Sequence, residues 1–434
     1  MRLRVPTFAL FLISVPLFAA DYVVTAPKWG KAQATAVAAA GGTVRYAHGN
    51  GFALVSSDAA DFAARANASK AFSEVNTDRF VQWRQAEQSF PLDTAAVTPG
   101  DETYSYLQWA PQAVKAPGAW AAGYTGAGVR VAVLDGGIYD AHDDLNGSVD
   151  VARSVSFVPG QAFNQDTNTF WHGTHVAGIV AARDNGKGII GIAPGATIVG
   201  VKIIHNGGGD FGAVIAGIYY AATPVAEGGG GADIINMSFV GEFQKSDPGA
   251  GRLIGALNKA MGYATSHGVL LIAASGNSGF DYGQQRDWVA VPAELGGVLA
   301  ISASAPFGFG LGATNYRNPA LYSNYGESMI SLAGPGGDFG PAGNCVPFPC
   351  WLMDLVLSTT RGSGSDTGAY TYSAGTSMAA PAVAGVAALA KQAHPGISLG
   401  ALKTLLLRTA DDEGKRGHDE FYGHGYPNAE RAVQ

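Results

Sequence analysis

Five short apolar runs punctuate the chain beyond about residue 102: VRVAVLD (129–135), IVGVKII (198–204), ADIINMS (232–238), GVLLIAA (268–274) and GVLAISA (297–303). Stretches with helical character separate them, near 172–183, 211–222 and 249–267. Apolar strands alternating with helices predict an α/β fold, a mostly parallel central sheet with helices on both faces. Sites in such sheets gather beyond the carboxyl ends of the strands, where Asp135 and the residues after Ala274 fall. Residues 21–84 carry a different pattern. DYVVTA reads as a strand, KAQATAVAAAG as a helix, TVRYAHGNGFALVSS as a hairpin, DAADFAARANAS as a second helix and AFSEVN as a closing strand, which makes a small α+β unit. From Gln85 to Asp101 the pattern gives way to linker composition, so the larger domain is expected over 102–434. No internal repeat is visible.

The first twenty residues change the picture of where the chain works. Arg2 and Arg4 precede an apolar run from Val5 to Ala20, the layout of a secretory signal, which predicts export to the extracellular space or the periplasm. A membrane anchor is the alternative, although the run is short for a span and no other stretch is long and apolar enough. Hydrophobic residues make up 47% of the chain and charged residues 14%, which describes a globular protein with a sizeable core. The formal charge of −7, with no Lys/Arg run, argues against nucleic acid as the main partner. The only cysteines, Cys345 and Cys350, would close a small loop in an oxidising compartment, worth roughly 2 kcal/mol by loop entropy. No further Cys or His neighbours them, which disfavours zinc.

Four stretches hold the candidate chemistry. Asp135 ends its strand in VAVLDGGIYD, His172 opens HGTHVAGIVAAR, Asn277 follows a strand in AASGNSG, and Ser377 lies in SAGTSMAAPAVAG ahead of an Ala-rich helix. Each also has an ordinary reading: a turn aspartate, an incidental histidine or a metal pair with His175, a Gly-Asn turn, and a helix N-cap. Ser377 alone is an even choice between cap and nucleophile, and Pro381 is expected in the first turn, where its missing N–H is harmless. Taken together, an Asp, a His and a Ser at element termini, with a separate amide donor, supply every role that acyl transfer needs.

VAVLDGGI, HGTHVAG, AASGNSG and GTSMAAPAVAG resemble the signature blocks of the subtilisin-like serine proteases, the subtilases, and the likeness runs from about Gln108 to the carboxyl end. The resemblance implies a secreted serine endopeptidase. Ser377 would be the nucleophile, His172 the general base, Asp135 the residue that orients it, and Asn277 with the Ser377 backbone N–H the oxyanion donors. In subtilisin itself, loss of the oxyanion asparagine costs about 100- to 1,000-fold in turnover. A base that must be neutral implies activity at neutral to alkaline pH. Substrates would be proteins or peptides laid as an added strand between Gly207, Gly208 and Gly209 on one side and Ser238, Phe239 and Val240 on the other. Phe211 would cap an outer apolar subsite and Ala290 would form the base of the primary pocket. Because neither Asp nor Glu stands at 290, a medium apolar or aromatic side chain is expected there.

The resemblance further implies that the 21–84 unit is an inhibitory propeptide, cut in the linker, so that the chain is a zymogen. One structural calcium ion is expected, with Asp144 and Asn185 at ligand positions, although Arg183 and Lys187 are unusual company for a cation. The mature enzyme is expected to be a monomer that needs no cofactor for catalysis. A transpeptidase would need a device that excludes water from the acyl-enzyme, and none is evident. An inactive relative serving as a binding module would lack one of the three catalytic residues, and none is missing.

Overall fold

The computed structural model describes residues 20–83, 88–94, 103–167, 170–340, 343, 345, 348–364 and 366–434. Almost all of the signal segment, and residues 85–87 and 95–101 of the expected linker, lie outside the described residues. The chain forms two compact units, one ending at Asp78 and one running from Arg79 to Gln434.

The smaller unit follows the order strand, helix, strand, strand, helix, strand: β1 (Ala20–Thr25), α1 (Lys31–Ala39), β2 (Thr43–His48), β3 (Phe52–Ser57), α2 (Phe62–Ala68) and β4 (Glu74–Thr77). Its antiparallel sheet has the order β2-β3-β1-β4. Alternate residues of β1 and β3, Tyr22, Val24, Ala53 and Val55, point to one side and bury against Val37 of α1 and Phe62 and Ala66 of α2.

The larger unit begins with β5 (Phe80–Val81), β6 (Ser89–Pro91) and two short helices, α3 (Ala110–Ala113) and α4 (Ala116–Ala121). Its core is laid down by β7 (Arg130–Asp135), β8 (Val155–Ser156), α5 (His172–Ala181), β9 (Thr197–Lys202), β10 (Gly209–Asp210), α6 (Phe211–Ala222), β11 (Ile234–Met237), β12 (Gly241–Gln244), α7 (Pro248–Ser266), β13 (Leu270–Ala274), β14 (Trp288–Val291) and β15 (Val298–Ala305). The chain closes through β16 (Asn318–Pro319), β17 (Ile330–Pro335), β18 (Val356–Thr359), β19 (Tyr370–Ser373), α8 (Thr376–Ala393), α9 (Leu399–Thr409) and α10 (Ala429–Ala432).

The main sheet has the order β16-β15-β13-β11-β7-β9-β8, with β17 also paired to β15. Apart from the short β16, these pairs are parallel. The period of two along β7 sorts its side chains. Val131 and Val133 join the core with α5 and α8, whereas Leu134 faces Gly217 of α6 on the opposite side. Helices therefore cover both faces, as the apolar runs predict, and each predicted strand and helix forms within a few residues of its expected bounds. Strand order reverses at β7, which has β9 on one side and β11 on the other, and this is where an α/β sheet opens a crevice beyond its strand ends.

The small residues of α5 and α8 have a steric cause. A Cβ on Gly178 would come within 2.3 Å of the Thr359 hydroxyl, and one on Gly385 within 2.5 Å of Ile192 Cβ. α8 is buried without a break from Thr376 to Ala390, so this helix lies in the core of the larger unit rather than on its surface.

Candidate active site

β7 ends on Asp135, and α5 begins on His172. Both side chains are buried, at 1% and 0% exposure. His172 Nδ1 lies 2.9 Å from Asp135 Oδ1 and 2.8 Å from Oδ2. A carboxylate only accepts, so Nδ1 carries the proton in this pair and Nε2 is the basic nitrogen. The approach is possible because the residue after His172 is glycine: a Cβ on Gly173 would stand 2.5 Å from the Gly137 carbonyl and 3.0 Å from Asp135 Cβ. Asp135 Oδ1 also accepts from the Gly136 N–H at 2.6 Å. Cross-strand from Asp135, the buried Lys202 donates Nζ to the carbonyls of Gly136 and Ile204, which ties the turn after the aspartate to β9. His175 points elsewhere, with Nε2 3.1 Å from the Thr371 carbonyl. The two histidines of HGTH thus serve different partners, and no group of three or more His, Cys, Asp or Glu residues suited to a metal occurs among the described residues.

Ser377 is the second residue of α8 and is 3% exposed. Its Oγ donates to the Ser238 carbonyl at 3.1 Å. Pro381 is the sixth residue of this helix, not a first-turn residue as the sequence suggests. A proline there removes the N–H that would bond the carbonyl four residues back, which is that of Ser377. Ser238 Oγ donates to that freed carbonyl at 2.8 Å, and Asn236 Nδ2 in turn donates to Ser238 Oγ at 2.9 Å. The first turn of α8 is thereby fastened to the end of β11.

Asn277 follows β13 and is fixed by the residue before the serine. Its Oδ1 accepts from the Thr376 N–H at 2.9 Å and from Thr376 Oγ1 at 2.8 Å, while Thr376 Oγ1 accepts from the Gly276 N–H at 3.0 Å. With the amide oxygen held on the Thr376 side, Nδ2 is turned to the other side as a donor. This sits beside the amino end of α8, where the dipole and free N–H groups favour negative charge.

The expected cleft walls hold a stretch of the chain itself. β5 pairs antiparallel with β10, Gly209 opposite Val81 and Asp210 opposite Phe80, and the Phe211 N–H donates to the Arg79 carbonyl at 2.9 Å. Gly208 allows this approach, since a Cβ there would lie 2.4 Å from the Phe80 ring. On the other wall the Val240 N–H donates to the Trp83 carbonyl at 2.9 Å. Trp83 is fully buried, bonds the Gly209 carbonyl through Nε1 at 2.9 Å, and lies with its ring centroid 5.2 Å from Phe211, 5.6 Å from Phe239 and 6.2 Å from Phe243. Ala290, on β14, is buried opposite Glu242 of β12.

The expected calcium ligands fit a cation poorly. Asp144 Oδ2 accepts from the Ile189 N–H at 3.0 Å and from the Tyr370 hydroxyl at 2.9 Å, and Asn185 Nδ2 lies 3.5 Å from Oδ1. A cation needs lone pairs directed at it, whereas N–H and O–H hydrogens are directed at this carboxylate. Burial pushes Asp144 up to about 6, against the hydrogen bonds from Ile189 and Tyr370. Burial and the Asp144 charge keep Tyr370 protonated as a donor. The disulfide between Cys345 and Cys350 is formed.

Sequence reasoning missed Thr376, Lys202, Trp83 and Glu242. Thr376 stands within the GTSMAAP block beside the serine, and Lys202 is a lone cation in an apolar strand, so both carried a signal. Trp83 and Glu242 carried none without the pairing of β5 with β10 and of β12 with β14.

Residues 126–425 match the model of the Peptidase S8, or subtilase, family. The chain belongs to the subtilase family. It is 36% identical over 348 residues to the M-protease of Shouchella clausii, covering 77% of this chain and 75% of that one. It is 35% identical over 329 residues to subtilisin Savinase of Lederbergia lenta, covering 76% of this chain and 99% of that protein. Among solved structures, a protease from Pseudoalteromonas arctica is 31% identical with a TM-score of 0.61, covering 77% of this chain and 99% of that one. An epidermin leader peptide processing protease from Staphylococcus aureus shares the fold with a TM-score of 0.74 at 20% identity, covering 96% and 99%. This subtilase is accordingly a subtilisin-like serine peptidase, a hydrolase acting on protein substrates.

Proposed function

We propose that this subtilase is a secreted endopeptidase that cleaves peptide bonds through an acyl-enzyme on Ser377. His172 Nε2 takes the Ser377 Oγ proton as the oxygen attacks the substrate carbonyl, and later gives it to the leaving amine. Asp135 holds Nδ1–H and stabilises the imidazolium. The tetrahedral oxyanion is received by Asn277 Nδ2 and the Ser377 N–H. The observation that carries this reading is the clamp on Asn277: both Thr376 donors take its oxygen, which leaves an amide donor committed to the space beside Ser377. Water then resolves the acyl-enzyme by the same proton relay.

A peptide substrate would lie as an added strand between Gly207–Gly209 and Ser238–Val240. Residues 79–83 support this, because the chain's own backbone already pairs with β10 and bonds Val240 there. The same contacts support reading the preceding small unit as a propeptide whose tail blocks the cleft until it is cut away. Export is supported by the amino-terminal pattern of residues 1–20, and no helix among the described residues is long and apolar enough to cross a membrane. Calcium is not part of this reading, given the donors that surround Asp144.

The test compares the expressed protein with its Ser377→Ala variant for casein hydrolysis, release of the 21–84 segment and labelling by a serine-directed phosphonylating reagent. The wild type is expected to do all three and the variant none. Equal casein hydrolysis by the two refutes the assignment.

A further inference from the structure

The slot beside Ser377 has a charged end that residue 290 alone does not reveal. One wall is the run from Ser238 to Gly241, whose first carbonyl accepts the Ser377 hydroxyl. The other is the run from Ser275 to Ser278, which contains Asn277. The two walls come close where Gly276 faces Val240: a Cβ on Gly276 would lie 2.9 Å from Val240 Cγ1. Following the first wall leads into β12 and to Glu242. Its carboxylate oxygen Oε1 accepts from Ser278 Oγ at 2.9 Å and from Asn324 Nδ2 at 3.1 Å. Glu242 therefore reaches across from one wall to the residue next to the proposed oxyanion donor. It is also cross-strand from Ala290, the residue expected at the base of the pocket, so the two share one face of the β12–β14 pair.

The chemistry around Glu242 is asymmetric. The Ser278 and Asn324 donors fall on Oε1, and the Tyr282 hydroxyl stands beside the carboxylate as a third neutral group; a cationic donor brought by a substrate would be its first charged partner. Among the described residues it makes no ion pair. A second carboxylate stands at the same floor, with Glu294 accepting the Ala290 N–H at 2.6 Å. Tyr282, 4% exposed, lies near both. A half-buried carboxylate without a cation stabilises an incoming ammonium or guanidinium group more than a fully exposed one does, because the walls displace part of the water around it, while its exposed side stays open to salt.

We propose that Glu242 is a specificity-determining residue of the primary pocket and selects lysine or arginine at the substrate position just before the cleaved bond. The inference rests on Ser377 being the nucleophile, since that fixes which slot is primary. It replaces the apolar preference expected from residue 290 alone.

The experiment uses purified mature enzyme and the p-nitroanilide peptides succinyl-Ala-Ala-Pro-Lys and succinyl-Ala-Ala-Pro-Phe, with kcat/KM measured for each. The readout is the Lys-to-Phe ratio. The wild type is expected to give a ratio of about one or more, and Glu242→Gln a ratio lower by about tenfold, the size of a partly desolvated charge pair. Raising NaCl from 0.05 to about 1 M is expected to lower the wild-type ratio several-fold, since a Debye length near 3 Å screens the pair. A Glu242→Gln ratio within twofold of wild type overturns the proposal. If that variant fails to fold, a wild-type ratio that is insensitive to salt overturns it. Failure of the underlying reading looks different: Ser377→Ala would then cleave either peptide as fast as wild type.

Discussion

Thr376→Val tests how Asn277, the proposed oxyanion donor, is aimed. The substitution keeps the shape of the side chain and replaces the hydroxyl by a methyl group at a site 1% exposed, so it adds little strain. It deletes two hydrogen bonds: the 2.8 Å bond donated to Asn277 Oδ1 and the 3.0 Å bond accepted from the Gly276 N–H. These losses have separate consequences. A bond that only positions the amide is worth about 1 kcal/mol net, so if that energy is realised in the transition state, kcat falls about fivefold with little change in KM. Leaving the Gly276 N–H without its partner in a buried site costs about 1–3 kcal/mol of stability whether or not the amide matters. A double-mutant cycle separates the two. In an Asn277→Ala background, itself expected to lose about 100- to 1,000-fold in kcat as in subtilisin, Thr376→Val has no amide left to aim. Its kcat effect should then vanish while its stability cost, read from urea melts, persists. The assay is succinyl-peptide p-nitroanilide hydrolysis at saturating substrate. If Thr376→Val lowers kcat by the same factor in both backgrounds, the aiming role is refuted.

Other features give further expectations. Ser238→Ala removes the donor that takes the Ser377 carbonyl freed by Pro381 and should cost about 1–3 kcal/mol in denaturant melts; adding Pro381→Ala restores an N–H to that carbonyl and should recover part of the loss, and no recovery would refute the coupling. Trp83→Ala, made in the inactive Ser377→Ala chain, removes a fully buried indole worth about 3–5 kcal/mol, so amide exchange at Phe211 and Val240, whose N–H groups bond the Arg79 and Trp83 carbonyls, should accelerate at least about 100-fold while β7 stays protected. Because N–H and O–H donors surround Asp144, EDTA should leave Tm unchanged within about 1 °C, whereas Tyr370→Phe should cost about 1.5–3 kcal/mol; a Tm loss in EDTA reversed by calcium would refute this account of the loop.

Most of the architecture was legible in the sequence because two periodicities coincide with element type. The apolar runs are strands buried on both faces, and the Ala- and Gly-rich stretches are helices that must approach those strands closely. Asp135, His172, Asn277 and Ser377 were legible because each ends or begins an element on the same side of the sheet. Contacts set by strand pairing far apart in sequence were not legible. Glu242 reads as a polar residue in a short strand until β12 pairs with β14 and sets it opposite Ala290. Trp83 reads as the end of a small unit until β5 pairs with β10. Asp144 matches a calcium-ligand position of the family by its place in the chain, whereas the donor that decides its chemistry here, Tyr370, is 226 positions away.

Pro381 shows the same limit at shorter range and joins the fold to the chemistry. A proline near a helix start reads as a tolerated residue when the start is placed late, and at 381 it falls one turn too far in for that. The missing N–H then leaves the Ser377 carbonyl open, and a buried open carbonyl costs about 1–3 kcal/mol unless another donor is found. Ser238 supplies it from just past the end of β11, and by the same contact its own carbonyl receives the Ser377 hydroxyl. The two serines are thus bonded in both directions, each hydroxyl to the other's carbonyl. A regular helix would bond this carbonyl internally and leave the turn that carries Ser377 free to shift against the sheet. The proline removes that option, so the position of Ser377 is set by β11, the strand beside the one that ends on Asp135. The proposed nucleophile, tied to the end of β11, and Asp135, at the end of β7, are therefore placed by neighbouring strands of one sheet, and their spacing follows from strand pairing rather than from loop conformation.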